Sequence, residues 1–175
     1  MRRYGSNPNN VIGHLISGEF MLIYKVIKTF GHDRGYSCVF RQPNATHSNC
    51  SRLHGYALAF EITFIARELD ENNWVIDFGS FKWLKNYLEN MFDHKLLVAE
   101  NDPFAKEICE FANKTGIATC VVIPNVGCEA FAKLVYDKIQ EHLNKNSLYV
   151  RREVRVSAVK VSEHSGNSAI FEGYW

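Results

Sequence analysis

A chain of 175 residues is long enough for one domain with a substantial core and too short for two full domains. Hydrophobic residues at 46% and charged residues at 22% are the proportions of a soluble globular protein, and a formal net charge of +1 gives no electrostatic footprint for nucleic acid or a membrane surface. No apolar run approaches the roughly 18 residues that cross a bilayer, and the polar start MRRYGSNPNN has no apolar stretch behind its arginines of the kind a secretory signal carries. The five cysteines, Cys38, Cys50, Cys109, Cys120 and Cys128, are odd in number and irregular in spacing. That argues for reduced thiols in the cytoplasm over a disulfide framework. Cys109 and Cys120 fall in apolar patterns and read as small core residues.

In chain order, residues 1–20 read as an N-terminal extension rich in Asn, with one domain over 21–175. LIYKVIKTF (22–30) and YSCVF (36–40) have the composition of strands, separated by the turn GHDRG. The stretch RQPNATHSNCSRL breaks any ladder with Pro, Asn and Ser. From Tyr56 the even positions Tyr56, Leu58, Phe60, Ile62, Phe64 and Ala66 are apolar while Glu61, Thr63 and Arg67 occupy odd ones, which predicts a long antiparallel strand. His54 shares the parity of Tyr56 and, if the strand begins that early, its face. WVIDF (74–78) predicts a short strand. Helices are predicted over 80–92 with Ser80 as N-cap, over 103–116 between Pro103 and Gly116, and over 128–143. ATCVVI (118–123) is short and β-rich, and two final strands flank the turn Ser165-Gly166-Asn167. Antiparallel pairs at both ends with helices between predict an α+β layer with helices on one face of the sheet.

Chemistry concentrates at four points. Cys50 lies in a polar loop with His47 three residues before it and His54 four after, where imidazolium, arginine or metal would favour the reactive thiolate. A lone loop cysteine is more often inert, and H-x2-C-x3-H falls short of a four-ligand zinc set. Asp93-His94 follows a helix end, where the carboxylate orients a general base or the dipole simply favours the imidazole. Glu163-His164 closes an apolar strand; the carboxylate there is solvated or accepts two parallel hydrogen bonds from a planar donor edge. Gly127-Cys128-Glu129 opens a helix, offering N–H groups to an anion or serving as an ordinary acidic first turn.

The order of these features is more specific than any one of them. Cys-x3-His-Gly opening a long strand, WVIDF and a helix, Phe-Asp-His-x-x-Leu, a helix opening Cys-Glu-Ala-Phe-Ala and a late strand ending in Glu resemble the 6-pyruvoyltetrahydropterin synthase family over roughly residues 21–173, and its 6-carboxytetrahydropterin synthase branch more closely. The resemblance implies the tunnelling fold: a four-stranded antiparallel sheet with helices packed on one face, oligomerising into a β-barrel, commonly as a hexamer of two stacked trimers with sites between subunits. It implies Cys50 as catalytic thiolate, Asp93 and His94 as acid/base relay, Glu163 as anchor of a pterin ring, and Glu129 and Cys128 near the same pocket. The implied substrate is 7,8-dihydroneopterin triphosphate, shortened to 6-carboxytetrahydropterin with loss of acetaldehyde and triphosphate on the route to 7-deazaguanine nucleosides such as queuosine. The implied cofactor is zinc (Zn2+), held in the family by one histidine after the early strand and two as His-Gly-His. Here the second of that pair is Tyr56, the early strand ends YSCVFRQ without histidine, and His54 alone corresponds, with His47 the nearest substitute. A mixed set of His47, His54 and Cys50 would be chemically acceptable to zinc. Alternatives are 6-pyruvoyltetrahydropterin formation by triphosphate elimination, a pterin- or purine-binding homologue without turnover, and a purely structural homo-oligomer.

Overall fold

The strand that organises the molecule is the one whose alternation is plainest in the sequence. The computed structural model describes residues 23–173, so the extension expected over residues 1–20 and the start of the domain at residue 21 lie outside the described residues. Strand β3 (His54–Ala66) turns Leu58, Phe60, Ile62 and Phe64 into the core, all fully buried. Strands β1 (Tyr24–Phe30) and β2 (Tyr36–Phe40) lie end to end along one of its edges, from Tyr24 opposite Ala66 to Phe40 opposite His54. The segment between them leaves the sheet in a single 3-10 turn, His32–Arg34, that returns through Gly35 at φ 69°. On the other edge of β3 runs β6 (Arg155–His164), and β7 (Asn167–Glu172) pairs beyond it.

Those five strands pair antiparallel, but the sheet is larger and not the four-stranded antiparallel one expected. Strand β4 (Lys95–Ala99) joins β2 in parallel and β5 (Thr119–Ile123) joins β4 in parallel, giving a mixed, open sheet of seven strands within the chain. β4 escapes a test for alternation because Leu96, Leu97, Val98 and Ala99 are all buried, as befits a parallel strand covered on both faces.

Helices α1 (Lys82–Phe92) and α3 (Cys128–Asn144) cover one face with Leu84, Leu88, Phe92, Phe131, Val135 and Ile139. Helix α2 (Ala105–Thr115) does not join them. Leu97 belongs to the main core while Leu96 and Val98 pack with Ala112 and Ile108 in a separate cluster, so by strand parity α2 covers the opposite face of β4 and β5. The β4–α2–β5 crossover therefore corrects the expectation of helices on one face only. It also joins Cys109 to Cys120 as a disulfide, with Cα atoms 5.4 Å apart, where reduced core thiols were expected; Cys38, Cys50 and Cys128 are free.

The strand expected over 74–78 is absent because its backbone is engaged elsewhere. The Arg152 guanidinium donates to the carbonyls of Glu68, Trp74 and Val75, and the Asp70 carboxylate accepts from the N–H groups of Asn72 and Trp74. A 3-10 turn, Phe78–Phe81, then leads into α1. Its cap is Asp77, which accepts from the Gly79 N–H at 2.7 Å, and Ser80 instead donates its hydroxyl to the Asp77 carbonyl. Arg152 itself stands at the end of a short helix, α4 (Ser147–Arg151), where strand had been expected. Among the described residues no helix is long and apolar enough to cross a membrane.

Candidate functional site

A shift of register seats Glu163. In the β6–β7 ladder Ser162 faces Ser168 and His164 faces Asn167, so Glu163 is the extra residue of a β-bulge, a device that re-aims a side chain at a sheet margin. It lines a cavity of about 370 Å³ together with Gln42, Cys128, Glu129, the turn residue Gly166 and the start of β7. The three residues expected to hold substrate, Glu163, Cys128 and Glu129, thus share one cavity although 34 positions separate the first from the last two in sequence or more.

The wall opposite Glu163 is the start of α3. Gly127 precedes the helix at φ 110° with no side-chain cap, and a Cβ there would stand 2.8 Å from the Gln42 amide nitrogen. Glycine is therefore favoured by the backbone conformation, and a side chain there would also displace the Gln42 amide. Cys128 is buried beside the Glu163 carboxylate, on the same cavity. Burial first, then the charges of Glu163 and Glu129, pushes that thiol up to about 12, and burial alone pushes Cys38 equally far. Both stay protonated near neutral pH.

Cys50 approaches from the loop after β2. It lies in a 3-10 turn, Asn49–Ser51, whose N-cap Ser48 accepts from the Cys50 N–H, and its carbonyl accepts from the Gln42 N–H at 2.8 Å. Arg41 fixes this loop from behind, donating from Nη1 to the Ser51 carbonyl while Nε and Nη2 grip both oxygens of Asp102 at 2.7 and 2.8 Å. The Asp102 side chain is 1% exposed. The hydrogen bonds from Arg41 hold its carboxyl below the usual carboxylate range. Neighbouring residues thus divide the work: Arg41 anchors the Cys50 loop and Gln42 turns into the cavity. Neither stands out in a single sequence, where a polar pair after a strand reads as loop.

Between Cys50 and Glu163 stands an aromatic cluster. His54 and Phe40 are cross-strand partners with ring centroids 4.9 Å apart; Tyr56 lies 5.5 Å from His54 and 6.3 Å from His164. Burial, then the charges of Glu163, Cys50 and Cys128, raises the Tyr56 phenol above its ordinary value, which ties these four residues to one neighbourhood. His54 Nδ1 faces the Arg52 carbonyl at 2.7 Å, an acceptor, so Nδ1 carries the proton and Nε2 keeps its lone pair. His47 is exposed and makes no hydrogen bond or ring contact with His54. Among the described residues no three His, Cys, Asp or Glu side chains stand together so as to hold a metal ion, and the residues present do not fit the zinc that the resemblance implies.

Asp93 and His94 form a pair of their own. His94 Nδ1 donates to Asp93 Oδ1 at 2.8 Å, and the pair is fastened to β2 through the Ser37 carbonyl and N–H. Neither residue lines the cavity. Ser37 is three strand positions, about 10 Å, from Phe40, so the pair is fastened to the opposite end of β2 from the 41–42 segment that holds the Cys50 loop.

A bulge-seated glutamate and a helix start share one polar cavity, on a mixed sheet backed by helices, which is an α+β domain. The family model described as 6-pyruvoyl tetrahydropterin synthase matches residues 32–174, and the chain belongs to that family. A curated relative named 6-carboxy-5,6,7,8-tetrahydropterin synthase, from Aquifex aeolicus, is 29% identical over 165 residues, 85% of this chain and 98% of that protein. Among solved structures, an uncharacterized protein of Wolinella succinogenes aligns with a TM-score of 0.69 at 20% identity, covering 87% of this chain and 99% of the other. The 6-pyruvoyl tetrahydropterin synthase of Plasmodium falciparum aligns at 0.63 and 16%, with the same coverages. These two likenesses show the shared fold.

Proposed function

We propose that this chain is a carbon–carbon and carbon–oxygen lyase of the 6-carboxytetrahydropterin synthase kind, acting on 7,8-dihydroneopterin triphosphate with release of acetaldehyde and triphosphate, and supplying a precursor of 7-deazaguanine nucleosides. The observation that carries this reading is the convergence of Glu163, Glu129, Cys128 and Gln42 on one cavity. A carboxylate accepts two parallel hydrogen bonds from adjacent N–H groups, which is what an aminopyrimidinone edge presents. The Gln42 amide supplies a donor and an acceptor for the ring's remaining polar atoms. Named relatives of this family being synthases of tetrahydropterins supports the same ligand class.

In this reading Cys50 moves a proton at a side-chain carbon, for which it must act as thiolate. The Asp93–His94 pair donates and accepts protons at the side-chain oxygens, with Asp93 fixing the imidazole's tautomer. The pair is fastened to the Ser37 end of β2 and the Cys50 loop to residues 41–42 beyond the other end, which supports the reading that the pair acts from a second copy, in a homo-oligomer such as the hexamer of two trimers expected from the resemblance. The substrate is a small molecule, handled away from nucleic acid and membrane in the cytoplasm. No step is assigned to zinc, because the donor set does not fit it.

Tyr56 in place of a family histidine, and an early strand YSCVFRQ without one, favour a second reading, a pterin-binding homologue without turnover. Incubation of the purified chain with 7,8-dihydroneopterin triphosphate separates the two. Acetaldehyde and 6-carboxytetrahydropterin are expected, and pterin retained without product establishes the binder; 6-pyruvoyltetrahydropterin would move the reaction to plain triphosphate elimination. Cys50→Ala is expected to lower kcat by about 10²-fold or more; undiminished turnover removes Cys50 from the chemistry.

A further inference from the structure

The two strands that meet at the family's metal position bring carbon where nitrogen would be needed. Phe40 is the residue of β2 directly opposite His54, and it is 1% exposed. Its ring is held edge-on against Phe131 at 5.2 Å and lies 6.1 Å from Tyr56, so it is fixed in the core behind His54 and Tyr56. Tyr56 follows His54 by two on β3, on the same face, with its ring nearly perpendicular to the imidazole. One imidazole nitrogen, His54 Nε2, is left to bind a cation. Protein zinc sites use three or four donors from cysteine, histidine and carboxylate, and neither a phenyl ring nor a neutral phenol stands in for one.

We propose that this chain holds no zinc at the position where its family does, and that His54, flanked by Phe40 and Tyr56, forms a metal-free aromatic and imidazole wall of the ligand site. His54 Nε2 and the Tyr56 hydroxyl then meet the ligand's polar substituents as hydrogen-bonding groups, and the Phe40 and Tyr56 rings shield them from water. The inference rests on family membership and on the donor set, and is independent of which pterin reaction, or none, follows.

The test is zinc content. Full-length protein from zinc-supplemented culture is expected to carry well under one zinc per subunit by mass spectrometry of the metal. The double variant F40H/Y56H is expected to carry about one, and to lose it when His54→Ala is added. Wild-type protein with one zinc per subunit that His54→Ala removes overturns the proposal. So does a folded F40H/Y56H that stays zinc-free, since something other than these two side chains would then exclude the metal. Should that variant not fold, calorimetric titration of wild type with Zn2+ decides alone: saturable binding that depends on His54 overturns, and its absence supports. Neopterin binding followed by fluorescence in the presence of a chelator is a separate arm. Affinity unchanged by the chelator supports a metal-free wall, and affinity abolished by it overturns one. Protein that binds no pterin at all would defeat the proposed function and leave the zinc result standing.

Discussion

Glu163 reaches its cavity because one extra residue interrupts a ladder, and its carboxylate there lies near the Cys128 thiol. Replacing it with Gln keeps the shape and removes the charge that strengthens both hydrogen bonds to a donor edge. Neopterin affinity of Glu163→Gln is expected to fall about 10- to 100-fold, measured by fluorescence titration; unchanged affinity would mean the ring binds elsewhere. The candidacy of Glu163, Glu129 and Cys128 was legible because strand ends and helix starts are local signals with known chemistry. Gln42 was not, because only the folded approach of the 41–42 segment to Gly127 gives it a role. His54 was half legible. Its parity with Tyr56 gave its face, but its companion Phe40 is 14 positions away and emerges only from the β2–β3 register.

Among elements, the junction of β2, the Cys50 loop and α2 rests on one ion pair. Arg41 and Asp102 exchange two hydrogen bonds, and Asp102 also accepts from the Phe104 N–H at 2.9 Å at the entry to α2. Asp102→Ala leaves a partly buried guanidinium and a helix entry without their acceptor, and should cost roughly 3 kcal/mol at pH 7 in urea unfolding. Because folding lowers this carboxyl's pKa, the stabilisation is fully present above the unfolded value of about 3.9 and fades as pH falls through the lower folded value. The gap between wild type and Asp102→Ala should therefore narrow below about pH 4; a gap that persists in acid would mean that packing, not the ion pair, holds the junction. Elements with one wet face announced themselves by period, as β3 did. β4 did not, being buried on both sides, and the 74–78 segment misled because strand-like composition says nothing of an arginine 78 residues away from Trp74 that takes up its carbonyl.

For the molecule as a whole, the sheet is open. Among the described residues β1, β5 and β7 each pair with a strand on one side only. Such margins admit backbone pairing with another copy, and the proposed chemistry asks for one, since Asp93–His94 and Cys50 are fastened to separate parts of a chain. Association follows mass action. On dilution through roughly a hundredfold range that light scattering shows to cross from assembly to monomer, turnover per chain should drop while pterin capture by Glu163 holds. Constant turnover by demonstrated monomers would remove the second copy from the mechanism. On the proposed function the open margins make competence a function of how many neighbours a chain has: an isolated copy would sequester the substrate yet leave it unchanged, and only at higher occupancy of the solution would the same polypeptide become a catalyst.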